Sequence, residues 1–148
     1  MITLDGLRGC WHLQRQIDDR RLGLAGQMDG TACWTPHDGG LLQLEEGVLR
    51  FGDAPPMQAT RRYLWRDHGG VLLVSFADGR PFHAVSADLP QATHFCDPDT
   101  YEVSYDLSGW PVWQTRWHVT GPRKHAVIIS RFSPMLDHSD AAPIGSSA

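Results

Sequence analysis

The chain has 148 residues and a formal net charge of −4, with Lys and Arg scattered along it. This length suits one domain with a real core, and the lack of a basic run argues against a nucleic-acid partner. No signal peptide or membrane-length apolar run occurs, so we expect a cytoplasmic protein with no membrane partner. The sequence leaves the oligomeric state open.

The cysteines give no sign of a disulfide framework. Cys10, Cys33 and Cys96 are an odd number, and their wide spacing fits no known motif. Since cytosolic thiols stay reduced, we expect all three side chains to be free.

The predicted elements are short β-strands that follow a single helical turn near residues 4–7. The first strand carries the alternation Trp11-x-Leu13-x-Arg15-x-Ile17, which is typical of a half-buried strand. Gly and Pro then interrupt the sequence roughly every eight to twelve residues, as expected of an all-β sandwich or barrel. Further strands are predicted around residues 26–34, 41–51, 57–66, 71–77, 81–87, 92–97, 100–106, 112–119 and 124–132.

The last sixteen or so residues differ in composition from the rest. Residues 133–148 are rich in Ser, Ala, Asp and Pro and have little to bury. We predict a disordered tail there and a single β-barrel domain over residues 1–132.

Turn signals in the middle of the chain predict which side chains are neighbours, because directly opposed residues of a hairpin project from the same face. Asp78-Gly79 is a strong two-residue turn signal, since Gly tolerates positive φ. That turn would pair Phe76 with Pro81, Val74 with His83 and Leu72 with Val85. A preceding turn centred on His68-Gly69 would pair Trp65 with Leu72, Tyr63 with Val74 and Arg61 with Phe76.

The same construction applies to the later strands. A turn at Pro98-Asp99 would pair Cys96 with Tyr101 and His94 with Val103. A turn at Gly121-Pro122 would pair Val119 with Lys124 and Trp117 with Ala126. One end of the sheet then collects polar side chains, as the mouth of a ligand-binding barrel would. These are Arg61, His83, Cys96, Tyr101 and Lys124, with His94 and Trp117 one layer deeper.

Each of these residues also has a structural interpretation. We expect His83 to be either a buried, hydrogen-bonded neutral imidazole or a general base or ligand contact. His94 and Cys96 could ligate a metal with His83, but their spacing matches no zinc motif, and we predict no metal site. Trp117 suits core packing or an aromatic wall. Arg61 and Lys124 could bind an anion or lie at a solvated rim.

Six short motifs resemble known families. Gly9-Cys10-Trp11 is similar to the Gly-x-Trp opening of lipocalins and other calycins. The chain more closely resembles domain-of-unknown-function family 6314 over nearly its whole length except the tail, which implies a fold and a motif set but no activity. That family commonly has an acidic residue where this chain has His125. The matching motifs are Gly9-Cys10-Trp11, Glu46-Gly47, Arg62-x-x-Trp65, Asp78 to His83, His94-x-Cys96-x-x-Asp99-x-Tyr101, and Trp117-x-Val119-x-Gly121-Pro122-Arg123-Lys124.

We therefore predict an all-β, calycin-like, antiparallel up-and-down barrel of about eight to ten strands with a short N-terminal helical turn. The leading functional hypothesis is the binding of a small, anionic or aromatic molecule in a polar pocket at one barrel end. The predicted binding residues are Arg61, Tyr63, His83, His94, Cys96, Tyr101, Trp117 and Lys124.

Three other functions stay open. One is an isomerase- or lyase-type enzyme that needs no cofactor, in which His83 or His94 moves a proton and Tyr101, with Arg61 or Lys124, holds the developing negative charge. Another is a haem- or metal-binding barrel. The last is an interaction module whose interior is plugged by aromatic side chains.

Overall fold

The protein is an all-β, nearly closed barrel of ten antiparallel strands behind one helical turn, as the sequence predicts. The computed structural model describes residues 2–135. The helical turn α1 spans Leu4–Leu7, and Thr3 caps it by accepting a hydrogen bond from the Gly6 N–H at 2.9 Å. The strands are β1 (Gly9–Asp19), β2 (Leu24–His37), β3 (Gly40–Phe51), β4 (Met57–His68), β5 (Val71–Phe76), β6 (Pro81–Val85), β7 (Gln91–Cys96), β8 (Asp99–Asp106), β9 (Trp113–Gly121) and β10 (Lys124–Pro134).

The strands follow one another as a meander, and the first strand pairs with the last. The sheet order is β6-β5-β4-β3-β2-β1-β10-β9-β8-β7, so each strand neighbours its successor in sequence, except β6 and β7. These two strands form the ends of the sheet order and share no backbone ladder. Side chains bridge this seam instead. His83 Nε2 on β6 lies 2.8 Å from the Tyr105 hydroxyl on β8.

The predicted faces are confirmed, but three of the four predicted registers are wrong by two residues. Tyr63 pairs with Phe76, His94 with Tyr101, and Trp117 with Ile128. Each turn is centred one residue away from its predicted position. That displacement moves the register by two positions and leaves every side chain on its predicted face, because the side-chain period of a strand is two.

The fourth hairpin is predicted correctly for two of its three pairs. Val74 opposes His83, and Leu72 opposes Val85. The expected partner of Pro81 is wrong, because an irregularity between Val74 and Ser75 pairs Pro81 with Ser75. A bulge of this kind inserts one residue and re-aims the side chains beyond it.

The core fills the end of the barrel nearest the helical turn. Trp11, Trp34 and Trp113 pack edge-on or tilted with ring centroids 6.0 to 6.5 Å apart. Phe132 stacks on Trp113 at 4.1 Å, and the Trp11 indole donates a 2.8 Å hydrogen bond to the Leu7 carbonyl. The indole and phenyl rings thus plug this half of the barrel.

The expectation that all three cysteines are free is wrong for two of them. Cys10 and Cys33 are directly opposed on β1 and β2, with Cα atoms 4.1 Å apart, and form a disulfide. Sequence spacing does not reveal this pair, because strand pairing alone brings together residues that are 23 positions apart. Cys96 is a free, exposed thiol.

The last strand extends into the predicted tail, and the helical content is relevant to membrane insertion. Strand β10 runs to Pro134, where it pairs with Trp11, so residues 133 and 134 belong to the barrel. The rest of the predicted tail, from residue 136, lies outside the described residues. Within residues 2–135, no helix has the length and apolarity needed to cross a membrane.

Candidate functional site

A cavity remains in the barrel above the tryptophan-filled end. It has about 100 Å³ of room, enough for several waters or one small organic molecule. Its lining combines apolar side chains with a set of polar ones, as ligand pockets do. The polar and titratable members are Arg15, Gln43, Glu45, Arg61, Tyr63, His83, Tyr101, Tyr105 and Thr115.

A buried ion-pair network forms one side of the cavity. Arg15 on β1 binds Glu45 on β3 through both terminal nitrogens, at 2.9 and 3.1 Å, and its Nε donates to the Ser130 hydroxyl at 2.7 Å. The Gln43 amide donates to Glu45 at 2.9 Å and accepts from the Trp65 indole at 2.7 Å. The carboxylate is only 3% exposed, yet every charge in the network has a partner.

Arg61 lies at the exposed mouth of the same cavity, on the inward face of β4. Its guanidinium donates to the Tyr63 hydroxyl at 3.4 Å and makes no ion pair with any carboxylate of residues 2–135. Burial opposes its charged form. The neighbouring Tyr63 and Glu45 outweigh that effect and raise the pKa of Arg61, so the group stays cationic.

His83 and Tyr105 form a neutral pair across the seam. The Tyr105 hydroxyl and His83 Nε2 are 2.8 Å apart, while His83 Nδ1 is buried without a partner in the described chain. Burial, together with the nearby His94, lowers the pKa of His83 to about 4. Burial also raises the pKa of Tyr105. At neutral pH both side chains are therefore uncharged.

An aromatic stack forms the wall beside this pair. Phe82 lies face to face with Trp117, with centroids 5.0 Å apart and planes 8° apart. Its ring also stacks on Tyr63 at 5.8 Å, and His83 meets Trp117 edge-on at 5.2 Å. Because Phe82 is on β6 and Trp117 on β9, the stack also closes the barrel across the seam.

Lys124 is at the rim and is already paired. Its ammonium lies 3.1 Å from the Asp99 carboxylate and donates to the Tyr101 hydroxyl at 3.4 Å. The hydrogen bond to Asp99, followed by that to Tyr101, raises the pKa of Lys124. Gly121 leaves space for this carboxylate, because a Cβ added there would collide with Asp99 Oδ1. The motifs around Asp99 and Lys124 therefore have a structural role, since their ion pair joins β8 to the β9–β10 turn.

The structure brings together five of the eight predicted binding residues in the cavity lining. Those five are Arg61, Tyr63, His83, Tyr101 and Trp117. Three others do not line it. His94 packs behind the wall, with its ring 5.3 Å from Phe82, and Cys96 is exposed at the strand end. Lys124 is held at the rim by Asp99. No group of three or more His, Cys, Asp or Glu side chains in residues 2–135 is arranged to hold a metal ion.

Comparisons with known proteins place the chain in a family. Residues 7–134 match the model of the Family of unknown function (DUF6314). The protein belongs to this family. No curated protein matches the chain.

The chain is also similar to a solved structure, that of a protein from Nitrosomonas europaea given the name AttH. The two are 10% identical with a TM-score of 0.33, and the match covers 91% of this chain and 55% of the other. The chain therefore spans about half the length of that structure.

Sequence reasoning missed the inner part of the site of this DUF6314 protein. Arg15, Gln43, Glu45 and Thr115 all line the cavity, and none was predicted as a site residue. The sequence does contain a signal for Arg15, because it alternates with polar residues in step with Trp11 and Leu13 and therefore faces inward on the same strand. Gln43 and Glu45 likewise continue the phase of buried Leu41 on β3. Polar residues in the apolar phase of a strand are informative, since buried polar groups need partners.

Proposed function

We propose that this protein binds a small, anionic or aromatic molecule inside its barrel. The observation that carries the proposal is the polar cavity of about 100 Å³, with an aromatic wall and, at its mouth, Arg61, which has no ion-pair partner within residues 2–135. Protein interiors normally pack with few voids larger than a water molecule. A cavity that keeps a cation, phenols and an imidazole along its lining suits a ligand better than it suits a plugged core.

A cavity-filling substitution tests the proposal. Thr115 is buried in the lining, so Thr115→Leu should occupy part of the room and weaken ligand binding at least about tenfold, while overpacking costs about 1–3 kcal/mol of stability. The measurement is a small-molecule library screen by thermal shift, followed by calorimetry on the hits. Thr115→Val keeps the volume and should retain most binding. Thr93→Leu, the same change at an exposed position of β7, should bind like the wild type.

Two results would contradict the proposal. One is a library from which no compound binds the wild type. The other is a set of hits whose affinities are the same in Thr115→Leu and Thr93→Leu, which would locate binding outside the barrel.

The acid–base enzyme is a second proposal, favoured by the His83–Tyr105 pair in the cavity. The arrangement supports it less than it supports binding. A His83 pKa of about 4 makes that imidazole a weak base at neutral pH, and the predicted proton carrier His94 does not line the cavity. Turnover of a bound compound that is lost in His83→Gln would favour the enzyme.

The three remaining proposals, for haem binding, a calycin-like relationship and a cytoplasmic address, are supported to different degrees. The room of about 100 Å³ is smaller than the roughly 150 Å³ cavity that takes up one benzene ring, so a haem would not fit. A calycin-like relationship agrees with the up-and-down meander and the Gly9-Cys10-Trp11 opening. A cytoplasmic address is opposed by the Cys10–Cys33 disulfide, since disulfides persist mainly in oxidising compartments.

A further inference from the structure

Within the part of the chain that the structure describes, the charges around the cavity leave one positive charge without an ion-pair partner. The groups in the lining that are charged at neutral pH are Arg15, Glu45 and Arg61. Arg15 and Glu45 neutralise each other through a two-pronged ion pair. His83 is neutral because burial lowers its pKa to about 4. Among residues 2–135, Arg61 is thus the one charge in the lining without an ion-pair partner, and Lys124 adds none because Asp99 holds it at the rim.

The room limits the apolar part of a ligand to about one ring. A cavity of roughly 150 Å³ in another protein holds one benzene molecule, and this one has about 100 Å³. A ring that extends partly into the mouth would fit, whereas fused rings or a long acyl chain would not. Aromatic side chains such as Trp113, Trp117 and Tyr63 supply apolar surface to the lining, which suits the ring of a ligand.

Donors for an anionic group converge on the mouth. Arg61 presents a planar fork of N–H groups, which matches a carboxylate in two-pronged geometry. The Tyr63 hydroxyl is 3.4 Å from this guanidinium, and Tyr101 is near enough to interact with it electrostatically. The Tyr101 hydroxyl also receives the hydrogen bond from Lys124, so its own proton is free to be donated to an acceptor.

We propose that the cavity selects a single-ring monocarboxylate of about the size of benzoate, with the ring inside the barrel and the carboxylate on Arg61. This inference rests on the proposed binding function and specifies the ligand's charge and size. It assigns Arg61 as the residue that determines charge selectivity.

The test uses calorimetry with four probes and two matched variants. Benzoate is compared with neutral benzamide, with the dianion phthalate and with the two-ring 2-naphthoate. Arg61→Gln removes the proposed contact. Arg62→Gln removes the same charge from the next residue, which is exposed on the outer face of the same strand. Benzoate should bind most tightly, with benzamide at least about tenfold weaker, as expected for losing a charge-assisted hydrogen bond.

The variants should separate the charge contact from general electrostatics. Arg61→Gln should weaken benzoate about tenfold and leave benzamide unchanged, while Arg62→Gln should match the wild type for both. The inference is overturned if benzamide equals benzoate, if Arg61→Gln binds benzoate normally, or if phthalate or 2-naphthoate binds more tightly. It is also overturned if benzoate fails to bind while library compounds bind in a Thr115-dependent manner, and the proposed function then stands. If no compound binds the wild type at all, both fail.

Discussion

The His83 side chain combines burial with incomplete hydrogen bonding. Its Nε2 meets Tyr105, its Nδ1 has no partner within residues 2–135, and His94 adds a second imidazole nearby. A buried unpaired nitrogen costs stability and is rare in native folds. A ligand acceptor or an ordered water beside the cavity would relieve that cost, which agrees with a binding role for this part of the barrel.

Protonation of His83 should destabilise the fold. Its pKa falls from the ordinary value of 6.5 to about 4 in the folded state, so the unfolded chain binds the proton more readily. The resulting contribution is present above pH 6.5, is lost as the pH falls from 6.5 towards 4, and amounts to about 3 kcal/mol. Urea unfolding at several pH values should show the wild type losing this stability relative to His83→Gln. Parallel pH profiles for the two proteins would contradict the assignment.

Single residues also show what sequence could and could not predict. Arg61, Tyr63 and Tyr101 were predicted to face inward, because hairpin pairing fixes the face of a strand residue. Lys124 was predicted either to bind an anion or to lie at a solvated rim, and Asp99 holds it at the rim. Asp99 was interpreted as a turn residue, and a turn assigned one position too late hides that its carboxylate points to the rim. Turn chemistry alone does not separate these two arrangements.

At the scale of the strands, the Arg15–Glu45 network joins four elements. Its side chains come from β1, β3, β4 and β10, all of which contact the cavity or the tryptophan core. Removing one partner of a buried ion pair leaves the other charge uncompensated in a poorly solvated site. The network therefore holds one half of the barrel wall in place.

A substitution at Glu45 tests this role. Glu45→Gln should lower the free energy of unfolding by about 3 kcal/mol or more, because it leaves Arg15 buried without its counter-ion. Glu46→Gln, the same change at the next and exposed position, should stay within about 0.5 kcal/mol of the wild type. Urea unfolding measures both. Equal effects of the two substitutions would show that the buried pair contributes no more than surface charge does.

Strand positions were easier to predict than strand pairs. The Gly and Pro spacing placed all ten strands within a few residues, since these residues interrupt strands for steric reasons. Registers depend on the central residue of each turn, and the sequences His68-Gly69-Gly70 and Asp97-Pro98-Asp99 permit neighbouring choices. The inward and outward faces were still predicted correctly, because each register was wrong by an even number of residues. The disulfide was not predicted, because no turn centre was assigned between β1 and β2 and the opposition of Cys10 and Cys33 depends on that register.

For the whole molecule, the barrel divides into a filled half and a hollow half. Tryptophan rings pack the end near α1, and the polar cavity occupies the space towards Arg61. The sequence indicated many large aromatic residues but not how far they fill the interior, since that depends on rotamers and on strand tilt. The seam between β6 and β7 closes mainly through the side chains of Phe82, His83 and Tyr105.

The position of a bound probe tests the central claim most directly. Intermolecular nuclear Overhauser effects between the ring protons of benzoate and the protein's side chains report which groups lie within a few ångströms of the ligand. We expect cross-peaks to the indole protons of Trp117 and Trp113, both of which line the cavity. Cross-peaks from bound benzoate only to exposed groups such as Phe95 or Leu89 would place the ligand outside the barrel and contradict this site.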